Sequence, residues 1–221
     1  MNTIIKNIVA RTYKPVLEKY LSKKRIYKYK DIRLEIPQEV FHPGFFSSSL
    51  LLLEYILKLQ LKEKSLLELG AGSGLLSMVA SKKKAYVTAT DINPIAIEYL
   101  ETNSHQNDLQ VEIIHSDLFD NIPGQYFDII AINPPYYKRD PHTPTDHAWY
   151  CGGNGEYFIK LFQQLPGFIY NTSEVIMVLC DGCDIDMITR SAAQNGFQMN
   201  CMITRQTIIE KNFIFKIEKI N

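Results

Sequence analysis

The chain has 221 residues, 46% of them hydrophobic, with 24 basic and 24 acidic side chains. This composition is typical of a globular protein with a sizeable core, and it predicts one large domain with a short extension. The longest apolar region, residues 50–61, is interrupted by Glu54 and Lys58, which excludes a membrane-spanning helix there. Because the N-terminus lacks a signal-peptide layout and four cysteines make no disulfide framework, we expect a reduced, cytoplasmic protein without membrane attachment.

The balanced net charge conceals a basic N-terminal arm. Residues 1–33 contain ten basic and two acidic side chains, a net charge of +8, so the remainder is correspondingly acidic. Such an arm is compatible with binding to RNA or to a ribosomal surface. It is equally compatible with a solvated helix that carries lysines on its outer face.

The N-terminal elements are a helix and a hairpin. Apolar residues at loosely helical spacing predict a helix over residues 4–21, interrupted by Pro15. Alternating patterns at residues 26–29 and 32–36 predict a β-hairpin that ends at Pro37. A further helix is predicted from about Ser47 to Leu59. We place a boundary near residue 40, between an extension over residues 1–40 and the main domain over residues 41–221.

From Ser65 onward, strands and helices alternate. Strands are predicted at residues 65–69, 85–91, 111–114, 127–132 and 175–180. Helices are predicted after residue 74, from Pro94, and at residues 156–168 and 185–194. The last two strands, at about residues 197–204 and 208–220, have no helix between them and are expected to pair antiparallel. The pattern predicts an α/β fold with a doubly wound, seven-stranded mixed sheet that is Rossmann-like.

The sharpest chemical signal follows the fourth of these strands. The apolar residues 129–132 run into Asn133, then into two prolines that cannot continue a strand ladder, and then into Tyr136. In open α/β sheets, ligands bind outside the carboxyl ends of the strands. An amide, a bare carbonyl and an aromatic ring at that edge form a small site for a planar group with N–H donors.

A glycine cluster and two carboxylates predict a nucleotide-like ligand. The sequence Gly-Ala-Gly-Ser-Gly at residues 70–74 joins a strand to a helix, where backbone N–H groups face the crevice. Asp91 ends the second strand, where a carboxylate can accept both ribose hydroxyls, and Asp117 ends the third strand, where it can accept from an adenine amino group. A Rossmann-type oxidoreductase is the alternative, but its third glycine is replaced by Leu75.

Four motifs, at residues 68–74, 91–94, 116–119 and 133–136, resemble the ordered motifs of class I S-adenosylmethionine-dependent methyltransferases. The resemblance implies that S-adenosyl-L-methionine is the cofactor. The cofactor contacts that it implies are Glu68 near the methionine amino group, Gly70 and Gly72 along the methionine and ribose, Asp91 on the ribose, Asp117 with Leu118 on the adenine, and Gly74, Ile92 and Asn133 in the same motifs.

The Asn-Pro-Pro-Tyr motif resembles that of methyltransferases acting on planar nitrogens, which are glutamine amides and the amino groups of adenine and guanine. Such a nitrogen is a poor nucleophile because its lone pair is delocalised. The Asn133 side-chain oxygen and the Pro134 carbonyl can accept its two N–H bonds and stabilise the developing positive charge. Tyr136 can stack on the planar group. We therefore predict Asn133, Pro134 and Tyr136 as catalytic residues, with no metal required.

The choice of acceptor rests on a second resemblance. Residues 148–155, with Gly152, Gly153 and Gly155, are similar to the Gly-Gly-x-x-Gly segment of HemK-type protein glutamine methyltransferases, which act on the Gly-Gly-Gln loop of release factors. Bacterial members carry a larger helical N-terminal domain, and acidic residues where this chain has phenylalanines and serines after Pro43. The preferred acceptor is a release-factor-like protein glutamine. The alternative is an adenine or guanine amino group of rRNA or tRNA. A non-catalytic cofactor-binding module is disfavoured by the intact acceptor motif.

Two groups of side chains are of residue types that can bind a metal, but their arrangement does not predict a metal site. Cys180 and Cys183 have the spacing of half a zinc site, but a second close pair is missing. His142 and His147 lie in a polar loop with two aspartates, which is better explained as a lid that contacts substrate over residues 137–150.

Overall fold

The computed structural model describes residues 23–44, 47–207 and 210–220, so the helix predicted over residues 4–21 lies outside the described residues. The described part of the chain contains nine strands and five α-helices. The strands are β1 (Arg25–Tyr29), β2 (Ile32–Ile36), β3 (Ser65–Leu69), β4 (Tyr86–Asp91), β5 (Glu112–His115), β6 (Phe127–Ile132), β7 (Ile169–Cys180), β8 (Phe197–Gln206) and β9 (Lys211–Lys219). The helices are α1 (Ser47–Ile56), α2 (Leu75–Lys82), α3 (Pro94–Gln106), α4 (Glu156–Gln164) and α5 (Ile185–Gln194), with 3₁₀ turns at Pro144–Ala148 and Leu165–Phe168.

Seven strands form one sheet in the order β5-β4-β3-β6-β7-β9-β8. The strands β3 to β7 are parallel, and β9 runs antiparallel to both of its neighbours, β7 and β8. The predicted doubly wound, mixed sheet with a final antiparallel pair is therefore confirmed. The strand order reverses between β3 and β6, and the crevice at such a reversal is where open α/β sheets bind ligands.

The alternation of side chains along the central strands divides the core into two layers. Leu66, Ile129 and Ala131 belong to an apolar cluster with α1, α2, α3 and the β1–β2 hairpin. Leu67 and Ile130, which point the other way, belong to a second cluster with α4 and α5. Both faces of the sheet are covered, which explains why its central strands read as continuous apolar runs.

The β1–β2 hairpin is fixed to α3 by side-chain amides. Asn103 Nδ2 donates to the Glu35 carbonyl at 3.0 Å, and its Oδ1 accepts from the Glu35 N–H at 2.8 Å, so one side chain imitates a neighbouring strand. Asn107 does the same for Arg33, accepting at 3.0 Å and donating at 2.7 Å. The sequence predicted the hairpin but not this docking, which brings the residues after β2 to the crevice.

Several predicted boundaries were wrong. Helix α1 ends at Ile56, and residues 57–59 continue as hydrogen-bonded turns. The last residues of the helix predicted over 156–168 form a 3₁₀ turn with a proline at its start. Strand β7 begins at Ile169 rather than residue 175. The prediction missed this start because residues 170–172 are exposed and carry no continuous apolar signal. Strand β5 ends at His115, so Asp117 lies in the following turn rather than at the strand end.

Candidate functional site

A cavity of about 300 Å³ opens at the carboxyl ends of β3, β4 and β6. Its walls come from the glycine turn before α2, the residues after β2, the start of α4 and the segment after β6. With the exception of Gly74, all the site residues predicted from the sequence line this cavity. The residues that do so are Glu68, Gly70, Gly72, Asp91, Ile92, Asp117, Leu118, Asn133, Pro134 and Tyr136. The structure thus brings the four motifs together, while the role of each residue stays a prediction.

The glycine turn requires left-handed backbone at three positions. The φ angles of Gly70, Gly72 and Gly74 are 69°, 55° and 81°. A Cβ on Gly74 would lie 2.6 Å from Leu100 Cδ2, so this glycine packs against α3 rather than facing the cavity. At Gly70 nothing lies within 4 Å of the corresponding position, which is open space at the cavity wall. The turn therefore leaves room for a ligand close to the backbone.

Glu68, on β3, is held by the first turn of α2. Its Oε2 accepts from the Ser77 N–H at 2.8 Å and from the Ser77 hydroxyl at 2.5 Å. Burial raises the pKa of Glu68 to about 7, although the two hydrogen bonds from Ser77 oppose the shift. A cationic ligand group beside this carboxyl would restore its charge, which suits the predicted position near an amino group.

Asp91 joins the end of β4 to the glycine turn. Its Oδ2 accepts from the Gly72 N–H and its Oδ1 from the Asn93 N–H, each at 2.9 Å. Burial raises the pKa of this carboxyl, and the N–H groups work against the rise. Each oxygen keeps a further lone pair, because a carboxylate oxygen accepts more than one bond. The carboxylate is therefore fixed in orientation and still able to accept from two hydroxyls.

Asp117 and Leu118 form a third wall after β5. Asp117 is half-exposed and pairs with Lys160 Nζ at 2.6 Å, and Lys160 also pairs with Asp120 at 2.7 Å. Leu118 is buried and has a positive φ of 54°. Lys160, which lines the cavity from α4, was not foreseen, because a lysine in an amphipathic helix carries no distinguishing signal.

The amide of Asn133 is oriented by helix α1. Its Nδ2 donates to the Ser49 hydroxyl oxygen at 3.2 Å. Among the described residues, none donates to Asn133 Oδ1 or to the Pro134 carbonyl, and both residues line the cavity. These are the two acceptor oxygens that the sequence predicted. The sequence analysis did not identify Ser49, because its contact with Asn133 spans 84 residues and a serine near a helix start has no signal of its own for such a contact.

Tyr136 is tied down at its backbone and at its hydroxyl. The N–H groups of Tyr136 and Tyr137 both donate to the Trp149 carbonyl, at 3.2 and 2.9 Å. The Tyr136 hydroxyl hydrogen bonds to the Cys180 sulfur at the end of β7. Burial raises the pKa of Tyr136, so the phenol stays protonated. Two other segments of the chain, at Trp149 and at the end of β7, therefore hold Tyr136 at the cavity wall.

The segment predicted as a lid forms a structured wall of the cavity. Thr143 and Asp146 make a reciprocal capping box around the 3₁₀ turn Pro144–Ala148. Trp149 packs against Phe41, with the ring centroids 5.3 Å apart, so the wall meets the residues after β2. Asp140 Oδ1 accepts from the Gly153 N–H at 2.8 Å, which connects the segment to the glycine-rich turn before α4.

The described residues contain no group of three or more histidine, cysteine, aspartate or glutamate side chains arranged to hold a metal ion. All four cysteines are free thiols. In the same part of the chain, no helix is long and apolar enough to cross a membrane.

Comparison with known proteins places these features in a family. Residues 38–149 match the model of the methyltransferase small domain, and this span includes every predicted site residue. A Methanocaldococcus jannaschii protein, provisionally named a protein N5-glutamine methyltransferase, is 38% identical over 65% of this chain and 74% of its own length. A Haemophilus influenzae ribosomal RNA small subunit methyltransferase C is 33% identical over 56% of this chain. The matched part covers only 41% of the length of that relative.

Solved structures share the fold. A Pyrococcus furiosus methyltransferase superposes with a TM-score of 0.64 at 20% identity, and the match covers 96% of this chain and 100% of the other. A Thermus thermophilus 16S rRNA N2 G1207 methyltransferase, solved with S-adenosylmethionine and guanosine, gives 0.63 at 19% identity over 88% of this chain and 50% of the other.

The chemistry of the cavity fits S-adenosylmethionine, which is the cofactor. Glu68 would hold its ammonium group, Asp91 its ribose hydroxyls, and Asp117 its adenine amino group, and each of these donors meets a carboxylate. Gly70 leaves open space at the cavity wall for the part of the cofactor that lies between these points. With the family model over half of its length and a relative matched along most of that relative, this chain belongs to the methyltransferase small domain family and is an S-adenosylmethionine-dependent methyltransferase.

Proposed function

We propose that this enzyme methylates a planar nitrogen, and that its acceptor is the side-chain amide of a protein glutamine of the release-factor type. The observation that carries the proposal is the orientation of Asn133. Because Ser49 accepts from its Nδ2, Oδ1 is the end of the amide left for an N–H donor at the cavity. The assignment of the Asn-Pro-Pro-Tyr motif and of the HemK-type family belongs to this proposal.

The residues present supply what a weak nitrogen nucleophile needs. The bound cofactor supplies an electrophilic methyl carbon. Asn133 Oδ1 and the Pro134 carbonyl accept the two N–H bonds of the acceptor and stabilise its positive charge as the lone pair leaves the π-system. Tyr136, fixed by Cys180 and Trp149, confines the planar group to an in-line approach. The methylated nitrogen is a strong acid, so its proton passes to water without a dedicated base.

The surface around the acceptor end of the cavity supports a polypeptide substrate. Phe41, Trp149 and the prolines at 141 and 144 give it an apolar character. The nearby charges are largely engaged, since Lys138 pairs with Asp184 at 2.5 Å and Arg139 lies 4.8 Å from the centre of the Tyr150 ring. A phosphate backbone is normally bound by a row of available cations, which this mouth lacks within the described residues.

An amino group of an RNA base is the second candidate. It is favoured by the ribosomal RNA relative from H. influenzae and by the guanosine in the T. thermophilus neighbour. Lys23, Lys24 and Arg25 begin the described chain at the hairpin, although Lys24 pairs with Glu35 at 2.8 Å.

We also propose that residues 1–40 form the extension and that its last residues complete the cofactor site, since Glu39 and Val40 line the cavity.

The deciding experiment offers the protein both acceptors. Purified enzyme and labelled cofactor are incubated with a release factor carrying Gly-Gly-Gln and, separately, with ribosomal and transfer RNA. We expect label in the release factor, lost when its glutamine is replaced by asparagine, with little dependence on salt. The matched variant reverses the charges at Lys23, Lys24 and Arg25, and we expect only a modest effect.

The contrary result is equally specific. Label in RNase-sensitive material would assign an RNA substrate. Its affinity would then fall with salt by a slope of roughly 0.7–0.9 per phosphate contact, and the charge reversal would flatten that slope.

A further inference from the structure

Two cysteines at the end of β7 lie next to the proposed acceptor site, and the proposed methyl transfer makes no use of their redox chemistry. Cys180 is the last residue of β7, and Cys183 follows before α5 begins. Their sulfur atoms are 3.8 Å apart and both thiols are free. This is the Cys-x-x-Cys spacing, which brings two sulfurs together at the start of a helix in redox-active proteins.

The turn between them holds the sulfurs on the same side. The Cys180 N–H donates to Cys183 Sγ at 3.2 Å, and the Cys183 N–H donates to the Cys180 carbonyl at 3.0 Å. The hydrogen bond from the Cys183 thiol, helped by the Gly182 N–H and the Tyr136 hydroxyl, lowers the pKa of Cys180 to about 7. That hydrogen bond and burial raise the pKa of Cys183. Of the two thiols, Cys180 is therefore the more readily deprotonated, and Cys183 is the one that keeps its proton.

Cys180 is also the hydrogen-bond partner of Tyr136, the ring proposed to position the methyl acceptor. The Tyr136 hydroxyl hydrogen bonds to Cys180 Sγ, and β7 is the strand next to β6, which carries Asn133 at its end. Cys183 is only partly buried, so a small oxidant reaches the pair from its side. Cys180 itself is buried, with 4% of its surface exposed. The state of the pair thus bears directly on how Tyr136 is held.

We propose that Cys180 and Cys183 are a reversible redox site, and that their oxidation to a disulfide by a small peroxide slows methyl transfer by releasing Tyr136. The formation of the disulfide stands on the geometry of the pair alone. Its effect on methyl transfer rests on the function proposed for Tyr136.

The chemistry balances with hydrogen peroxide as the oxidant. The Cys180 thiolate attacks one peroxide oxygen, the O–O bond breaks, and a sulfenic acid and a hydroxide form; the hydroxide takes a proton and leaves as water. The Cys183 sulfur then attacks the sulfenic sulfur, the S–O bond breaks, and a second water leaves with the Cys183 proton. Two thiols lose two electrons, and one peroxide gains them. The sulfurs approach to about 2.04 Å, and the Tyr136 hydroxyl loses its thiolate acceptor.

The test compares one protein in two redox states. Full-length enzyme is treated with hydrogen peroxide, freed of it, and alkylated, and the peptide carrying Cys180 and Cys183 is weighed. After oxidation we expect neither cysteine to be alkylated. We expect kcat to fall about fivefold or more, which is the scale of one lost hydrogen bond. Dithiothreitol should restore both the alkylation and the rate. Cofactor affinity, measured by calorimetry, should stay unchanged in either state.

Three variants complete the design. Cys183→Ser should keep the basal rate and lose the reversible response, whereas Cys201→Ser, at an exposed cysteine outside the site, should keep the response. Tyr136→Phe should have the rate of the oxidised enzyme and show no further fall with peroxide. In that variant the disulfide still forms but finds no hydroxyl to release.

Two results would overturn the proposal. Peroxide that leaves both cysteines alkylated, or drives one to a sulfinic acid without a disulfide, refutes the redox site. A disulfide that forms with no change in rate refutes its coupling to Tyr136. A reduced enzyme that methylates no protein amide counts against the proposed function instead, because the alkylation result needs no acceptor.

Discussion

Removal of the Asn133 side chain should separate cofactor binding from chemistry. Within the described part of the protein this side chain makes one hydrogen bond, to Ser49 at 3.2 Å, which is long for an N–H···O contact. Its loss should therefore cost at most about 1 kcal/mol of stability. In the transition state, however, Asn133 Oδ1 faces a nitrogen that is becoming positive, and removal of one such preorganised partner costs about 2.7–4 kcal/mol. We expect Asn133→Ala to lower kcat by roughly 10²-fold to 10³-fold.

The assay combines steady-state kinetics with calorimetry of cofactor binding. Cofactor affinity should be nearly unchanged, since most of the predicted cofactor contacts come from residues other than Asn133, Asp91 and the glycine turn among them. Ser49→Ala provides a matched comparison: it should lower kcat roughly fivefold in the wild-type background and have no effect in Asn133→Ala, because Ser49 acts only through the amide. Turnover within tenfold of wild type, or additive effects of the two substitutions, would refute the assigned orientation.

Three further predictions concern the cofactor site. Asp91→Ala should weaken cofactor binding by about 2 kcal/mol, and unchanged affinity in calorimetry would contradict the ribose assignment. Burial raises the Glu68 pKa from 4.5 to about 7, so as the pH rises the unfolded chain loses this proton before the folded chain does. The free energy of unfolding of the cofactor-free enzyme should therefore fall between about pH 4.5 and 7 and stay level above that range. In denaturant titrations, Glu68→Gln should flatten this pH dependence. Gly74→Ala should destabilise the fold by about 1–3 kcal/mol through its positive φ and the Leu100 contact, whereas the exposed Gly124→Ala should not; equal midpoints would argue against backbone strain.

The fold, and the meeting of the predicted cofactor residues at one cavity, could be predicted from the sequence because both depend on local signals. Short apolar runs such as residues 65–69 and 127–132 predict buried strands. The glycines and Asp91 stand at the ends of such strands, where a parallel topology brings them together. The structure gives these residues the contacts that such an edge allows, as between Asp91 and the Gly72 N–H.

What the sequence did not reveal depends on packing between distant segments. Ser49 meets Asn133 across 84 residues, and nothing in a run of three serines distinguishes the one that turns toward the crevice. Lys160 and the docking of the hairpin on Asn103 are of the same kind, since a polar residue in a helix carries no local signal that identifies its distant partner. The polar start of β7 was missed for a different reason: it extends beyond the covered part of the sheet and lacks apolar alternation.

Phe41 and Trp149, which are far apart in the sequence, enclose the cavity together through the contact between their rings. Phe41 follows the hairpin, Trp149 ends the wall after β6, and neither ring belongs to a cofactor motif. Separation of these rings would open the cavity at this wall, and it would move the Trp149 carbonyl that accepts from the Tyr136 N–H. We expect substitutions at Phe41 to change the rates of cofactor binding and product release, which depend on such an opening.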